Sequence, residues 1–198
     1  MHLAAATIIA IASITQPDAA EPTDTMMLFD FRHEDTAGTW QRLNDTVMGG
    51  VSESFMGRTD DFGVFMGTVS LENNGGFASV RSVPSAVDLS KFDAIALRVR
   101  GDGKRYALRV RTDPGWDGVS YHAAFDTEAG EWIDVTVPFS NLKPQFRGRA
   151  VPQAGPLDPA SIHTFGIMIS DKQEGDFRLE IESMQSVGLC LDNSMDTS

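Results

Sequence analysis

The feature that most constrains this chain is a two-residue rhythm. From Met27 onward, apolar and polar side chains alternate in short runs, the mark of strands with one buried face. The runs are MLFDF (Met27–Phe31), GVFMGTVSL (Gly63–Leu71), FASVRSV (Phe77–Val83), AIALRVR (Ala94–Arg100), RYALRVR (Arg105–Arg111), VSYHAAF (Val119–Phe125), EWIDVTVPF (Glu131–Phe139), TFGIMIS (Thr164–Ser170) and FRLEIESM (Phe177–Met184). Turn chemistry separates them: Asn73-Asn74-Gly75-Gly76, Gly101-Asp102-Gly103, Glu128-Ala129-Gly130 and Glu174-Gly175-Asp176. Long helical periodicity is absent. Two short helical turns fit, one near DLSKF (Asp88–Phe92) and one at Pro159 with Asp158 as its cap. Some nine short strands at this spacing predict an all-β fold, a β-sandwich or barrel.

In a sandwich, one face of each strand enters the core and the other meets water. Read as a hairpin, Ala94–Arg111 turns Ile95, Leu97, Val99, Tyr106, Leu108 and Val110 inward, and sets Arg98, Arg100, Arg109 and Arg111 together on the outer face. Like charges opposite one another destabilise a ladder. Either a ligand or partner compensates them, or neighbouring acids do, with Asp126, Asp134, Glu180 and Glu182 placed to serve.

The chain has 198 residues, 41% hydrophobic and 22% charged, which suits one globular domain with a sizeable core. Its net charge of −12 argues against nucleic-acid binding, which needs a basic surplus, and against electrostatic docking on anionic membranes. The single cysteine, Cys190, permits no internal disulfide, and the scattered histidines offer no zinc spacing. Leu3–Ile14 is apolar but shorter than the roughly 20 residues of a membrane span, so no stable span is expected. It has the length of a signal-peptide core, with Ala19 and Ala20 as small residues for cleavage, and predicts export to the periplasm. The rival is a cytoplasmic protein starting at Met26 or Met27. The expected division is a leader and linker over 1–25, one β-sandwich over 27–187 and a flexible tail over 188–198.

Several stretches occur together: W-x3-NDTVMGGVS (Trp40–Ser52), SLENNGGFASVRS (Ser70–Ser82), LRVRGDGKRYALRVRTD (Leu97–Asp113), VPFSNLKPQFRGR (Val137–Arg149), LDPASI (Leu157–Ile162) and GIMISDKQEGDFRLEI (Gly166–Ile181). In this order they resemble the complex I intermediate-associated protein 30 family, in a bacterial single-domain form, over roughly residues 28–187. The resemblance implies a jelly-roll β-sandwich of the galactose-binding-like type, related in shape to carbohydrate-binding modules. It also implies a non-enzymatic role. The mitochondrial family supplies an assembly factor, a chaperone of membrane-arm intermediates of NADH:ubiquinone oxidoreductase, and plastid relatives act around photosystem biogenesis.

The residues themselves leave two readings of the glycine pairs. Gly49-Gly50 and Gly75-Gly76 either let backbone amides approach a ligand or partner, lined by Asn44, Asp45, Asn73 and Asn74, or form corners whose Asn and Asp accept left-handed backbone and bond it locally. The structural reading is favoured. Trp132 alternates with Ile133 and Val135 and faces outward, where it offers a stacking surface for sugar; Trp40 and Trp116 are weaker candidates. No nucleophile, zinc-hydrolase or phosphate-loop motif occurs. The loop carboxylates Asp60, Asp61, Asp171 and Glu174 lack calcium-loop spacing, so neither metal nor cofactor is expected. The expected role is therefore to hold a protein partner, a subunit of a respiratory or other membrane complex, through Arg98, Arg100, Arg109 and Arg111 with the corner residues. The alternative is a carbohydrate-binding module of the cell envelope.

Overall fold

The alternation closes into two antiparallel sheets laid face to face. The computed structural model describes residues 24–189, except residues 34, 35, 60 and 116. The predicted leader, Cys190 with the rest of the tail, Asp60 and Trp116 therefore lie outside the described residues.

Thirteen strands run along the described chain: β1 (Thr25–Asp30), β2 (Trp40–Arg42), β3 (Glu53–Arg58), β4 (Gly63–Val69), β5 (Ala78–Ser82), β6 (Ala94–Arg100), β7 (Arg105–Arg111), β8 (Ser120–Asp126), β9 (Trp132–Pro138), β10 (Lys143–Phe146), β11 (Arg149–Ala150), β12 (Thr164–Ile169) and β13 (Gly175–Val187). The first sheet is ordered β3-β4-β13-β6-β9, with β1 also on β13. The second is ordered β11-β10-β8-β7-β12-β5-β2. The long β13 carries β4 along its first half and β1 along its second, on the side opposite β6. The result is the expected jelly-roll sandwich.

Every second residue enters the space between the sheets. Leu97, Val99, Leu179 and Ile181 come from the first sheet, and Leu108, Val110, Ile167 and Tyr121 from the second. Leu97 is 1% exposed and Leu108 0%, so the inward parity read from the sequence holds. Burying each such side chain contributes about 1.5–3 kcal/mol. An aromatic knot of Phe29, Phe31, Trp40 and Phe165 closes one end, its rings 5.1–6.2 Å apart.

One expectation is corrected. β6 and β7 do not form a hairpin. β6 pairs with β13 and β9, whereas β7 pairs with β8 and β12. The Gly101–Lys104 connection crosses from one sheet to the other, so the inward faces of β6 and β7 belong to opposite walls of the core. Arg98 and Arg100 thus lie on one outer face of the molecule and Arg109 and Arg111 on the other. Period-two alternation fixes which side of a strand is buried; it carries no information about which strand lies beside it.

The capped turn appears as a 3-10 helix, Pro159–Ser161, where Asp158 Oδ1 accepts the Ala160 amide at 3.1 Å. The Asp88–Phe92 stretch forms only a turn, closed by Phe92 N donating to Leu89 O. Beyond β13, Gly188 N bonds Asp24 O and Leu189 N bonds Asp93 Oδ2.

Candidate functional site

Asn44 and Asp45 enter a short 3-10 turn, Asp45–Met48, which Gly49 ends with a left-handed φ of 90°. Asp45 is 1% exposed and sits under both glycine corners. Its Oδ1 accepts from Ser52 N at 2.9 Å. Its Oδ2 accepts from Ser52 Oγ at 2.5 Å, Gly76 N at 2.7 Å and Phe77 N at 3.3 Å. Burial raises this carboxyl's pKa, but the bonds from Ser52, Gly76 and Phe77 outweigh it and hold the group below the usual carboxylate range.

The glycines make room for this arrangement. A Cβ on Gly50 would stand 2.4 Å from Asp45 Cγ, and one on Gly75 2.6 Å from Asp45 Oδ2. Asn44 completes the knot: its Oδ1 accepts from Ser54 Oγ at 2.7 Å and from Ser79 N at 3.2 Å, which ties β3 to β5 across the two sheets. Asn73 and Asn74 are exposed at the second corner and take the left-handed conformations their side chains tolerate, with φ of 54° and 59°. The structure therefore unites Asn44, Asp45, Gly49, Gly50, Asn73 and Asn74 in one region. Asp45 points into the protein, and Asn44, itself 9% exposed, lines the groove beside it.

What this knot presents outward escaped the sequence reading. β3 and β2 are the edge strands of opposite sheets, and between them opens a groove of about 890 Å³. Its lining includes Arg42, Val47, Glu53, Phe55, Met66 and Arg178. Val47 is 66% exposed, Met48 68%, Val51 45% and Phe55 53%. With Met66 and Leu71, they make up six of the nine large hydrophobic residues exposed among the described residues. Phe55 and Met66 are cross-strand partners and stand side by side on the outer face of the first sheet. Of the six, Val47, Phe55 and Met66 line the groove, and Met48, Val51 and Leu71 are exposed at the adjoining glycine corners; scattered apolar residues on a surface need no explanation, but such a gathering makes this region a candidate contact surface. The available signal was Val47-Met48, two apolar residues set between a polar cap and a glycine pair, where no strand could bury them.

The outer face of the first sheet also carries Arg98, Arg100 and Trp132. Arg98 bonds Asp134 at 2.7 Å, and Arg100 bonds Glu180, which also accepts Arg178 at 2.8 Å. The acid-compensation reading therefore describes Arg98 and Arg100, through two of the four acids named for it. Asp126 instead pairs with Arg105, and Glu182 with Arg32. Trp132 faces outward as expected, but Arg100 lies 5.0 Å from its ring centroid and Phe62 meets it edge-on at 5.6 Å.

Arg109 and Arg111 lie on the outer face of the second sheet, near Arg81. Arg111 pairs with Asp113 at 3.3 Å. Burial, then Arg81 and Arg111, lowers the pKa of Arg109 to about 10. Beside it, His122 Nε2 stands 2.7 Å from Ser120 Oγ, the spacing of a base and a nucleophile. Burial and the Arg109 charge push His122 down to about 3, which leaves the imidazole a poor base for that hydroxyl. Among the described residues, no three His, Cys, Asp or Glu side chains gather as a metal site. No helix there is long and apolar enough to cross a membrane.

The family described as Complex I intermediate-associated protein 30 (CIA30) matches residues 29–181. The chain belongs to this family. The mitochondrial Complex I intermediate-associated protein 30 of Mus musculus is 28% identical over 87% of this chain and 60% of its own length. Its Drosophila melanogaster counterpart is 24% identical over 81% of this chain and 62% of its own length. The chain thus spans about three-fifths of the length of these CIA30 relatives. Among solved structures, the family 11 carbohydrate-binding module of a Clostridium thermocellum cellulase superposes with a TM-score of 0.65 at 15% identity, over 85% of this chain and 97% of the module. That likeness establishes the jelly-roll β-sandwich fold and carries no ligand with it.

Proposed function

We propose that this CIA30 chain is a non-enzymatic module that holds a protein partner during the assembly of complex I, NADH:ubiquinone oxidoreductase, and that it does so at the groove between β2 and β3. The observation that carries the reading is the set of exposed apolar side chains there: Val47, Phe55 and Met66 line the groove, and Met48 and Val51 follow Val47 along the corner that the Asp45 knot holds. The names of the family and of its mouse and fly relatives point to the complex. The groove mixes the apolar Val47, Phe55 and Met66 with the charged Arg42, Glu53, Asp176 and Arg178, a make-up that suits a protein partner. Methionines repack readily around different segments, which suits a protein that meets incompletely folded subunits.

The test is capture from detergent-solubilised respiratory membranes. The full chain is expected to retain complex I subunits, and a Val47→Asp/Met48→Asp variant to retain at least about tenfold less, as expected for loss of an apolar anchor. No capture, or equal capture by the variant with the same thermal unfolding, contradicts the reading.

A further inference from the structure

The outer face of the second sheet carries a straight cross-strand row of residues: Gln41, Arg81, Gly166, Arg109, His122 and Lys143, each the partner of the next. One step along the sheet, Arg111 is the partner of Thr164. Side chains of one parity stand together, so the guanidinium groups of Arg81, Arg109 and Arg111 converge above Gly166. They leave a hollow of about 10 Å³ lined also by Val80 and Thr164. That volume admits about one water-sized atom.

Two groups in this hollow lack what they need. The Thr164 hydroxyl is in a residue only 1% exposed and has no hydrogen-bond partner. A buried hydroxyl without a partner is costly and rare, and its proton is free to turn toward an incoming acceptor. Arg109 is half-buried, and among the described residues it makes no ion pair. Its polar contact is Ser120 Oγ at a long 3.4 Å, and the charges that act on it are the cations Arg81 and Arg111. Arg81 and Arg111 are held in place by other interactions, Arg111 partly by Asp113. Asp117 feels the Arg111 charge, but Arg147 holds its carboxylate at 2.6 Å. Burial and the Arg109 charge keep His122 neutral on the far side of Arg109, so it adds no charge to the cluster. The chain as a whole carries −12, so this concentration of guanidinium is local and set by the sheet register.

We propose that Arg109 and Thr164, flanked by Arg81 and Arg111, form a receptor for a single doubly charged oxyanion, phosphate or the phosphate group of a small monoester. One oxygen enters the hollow and accepts from the Thr164 hydroxyl and the Arg109 guanidinium, while the rest of the group stays at the mouth. Guanidinium forks match phosphate oxygens, and side chains already fixed in place lose little freedom on binding. The dianion neutralises a charge cluster that the fold otherwise keeps close together.

Isothermal titration of the full chain with inorganic phosphate at fixed ionic strength tests this. One-to-one binding is expected, together with a rise in Tm of about 5–10 °C at a hundredfold excess over Kd. Acetate is expected to bind at least about tenfold more weakly, because it carries half the charge. Thr164→Val is expected to unfold no more easily than the parent without phosphate and to bind about tenfold less tightly, the usual scale for one hydrogen bond to a charged group. Arg109→Met is expected to abolish binding. Vesicles containing phosphatidate are expected not to capture the chain. Absence of phosphate binding to the parent chain overturns the proposal whatever the variants do. So does unchanged affinity in Thr164→Val, or vesicle capture without binding of free phosphate.

Discussion

The Asp45 carboxylate accepts the Gly76 amide at 2.7 Å, a bond that joins the two glycine corners of the chain from 31 residues apart. The same carboxylate takes the Ser52 amide and hydroxyl, and so holds the start of β3 against the start of β5. The exposed Val47-Met48 pair sits between these anchor points. In this protein a buried charge shapes an apolar surface.

Replacing Asp45 with Asn keeps the volume but turns an amide NH2 toward groups that themselves donate. Loss of about 2–4 kcal/mol is expected, measured by urea unfolding at pH 7. The acid limb gives an independent check. Asp45 is depressed below its ordinary 3.8 in the folded protein. Its stabilisation is therefore complete above that value and is lost as pH falls through the lower folded one. The parent should lose stability as the pH falls below about 4 more steeply than Asp45→Asn. Parallel acid limbs would show that Asp45 does not carry the corner.

Gly50→Ala places a methyl group 2.4 Å from Asp45 Cγ, whereas a Cβ on Gly38 meets nothing within 4 Å. Expected costs are about 2 kcal/mol for the first and within about 0.5 kcal/mol for the second. Thermal unfolding of the two variants side by side checks the difference. Equal midpoints would mean the knot relaxes freely around the added carbon.

Trp132 has its ring occupied by Arg100 and Phe62. Trp132→Ala is expected to cost about 1–2 kcal/mol through the lost packing and cation–π contact. A glycan array with the parent chain is expected to be blank. Specific sugar binding that disappears in Trp132→Ala would instead support the envelope carbohydrate module.

The fold was legible in the sequence because a side chain's face is a local property. Leu97 and Leu108 are buried where alternation puts them, and Asp158 caps the turn its spacing announces. Strand partnership was not legible. Arg98 and Arg109 occupy similar places in two similar motifs, AIALRVR and RYALRVR, yet lie on opposite outer faces because their strands join different sheets. The short strands β2, β3, β10 and β11 lack the alternation of a half-buried element and take their form from their neighbours. The corner residues were legible as turn chemistry, but the distant partners of Asn44 and Asp45 were not. Their side-chain oxygens accept from the amides of Ser52, Gly76 and Ser79, which come together only where the two corners meet. The apolar surface there follows from that meeting and has no periodic signature of its own.

The partner-holding groove is tested most directly by photo-crosslinking from the exposed corner beside it. A benzophenone side chain replaces Met48, next to the groove-lining Val47, and Lys143, on the outer face of the second sheet, in a control. The account predicts that the Met48 position forms adducts with complex I subunits in respiring membranes, and that the Lys143 position forms at least about tenfold fewer, as expected when only one of the two lies in the interface. Adducts from Lys143 alone, or none from Met48 while the folded chain still captures those subunits, would contradict it.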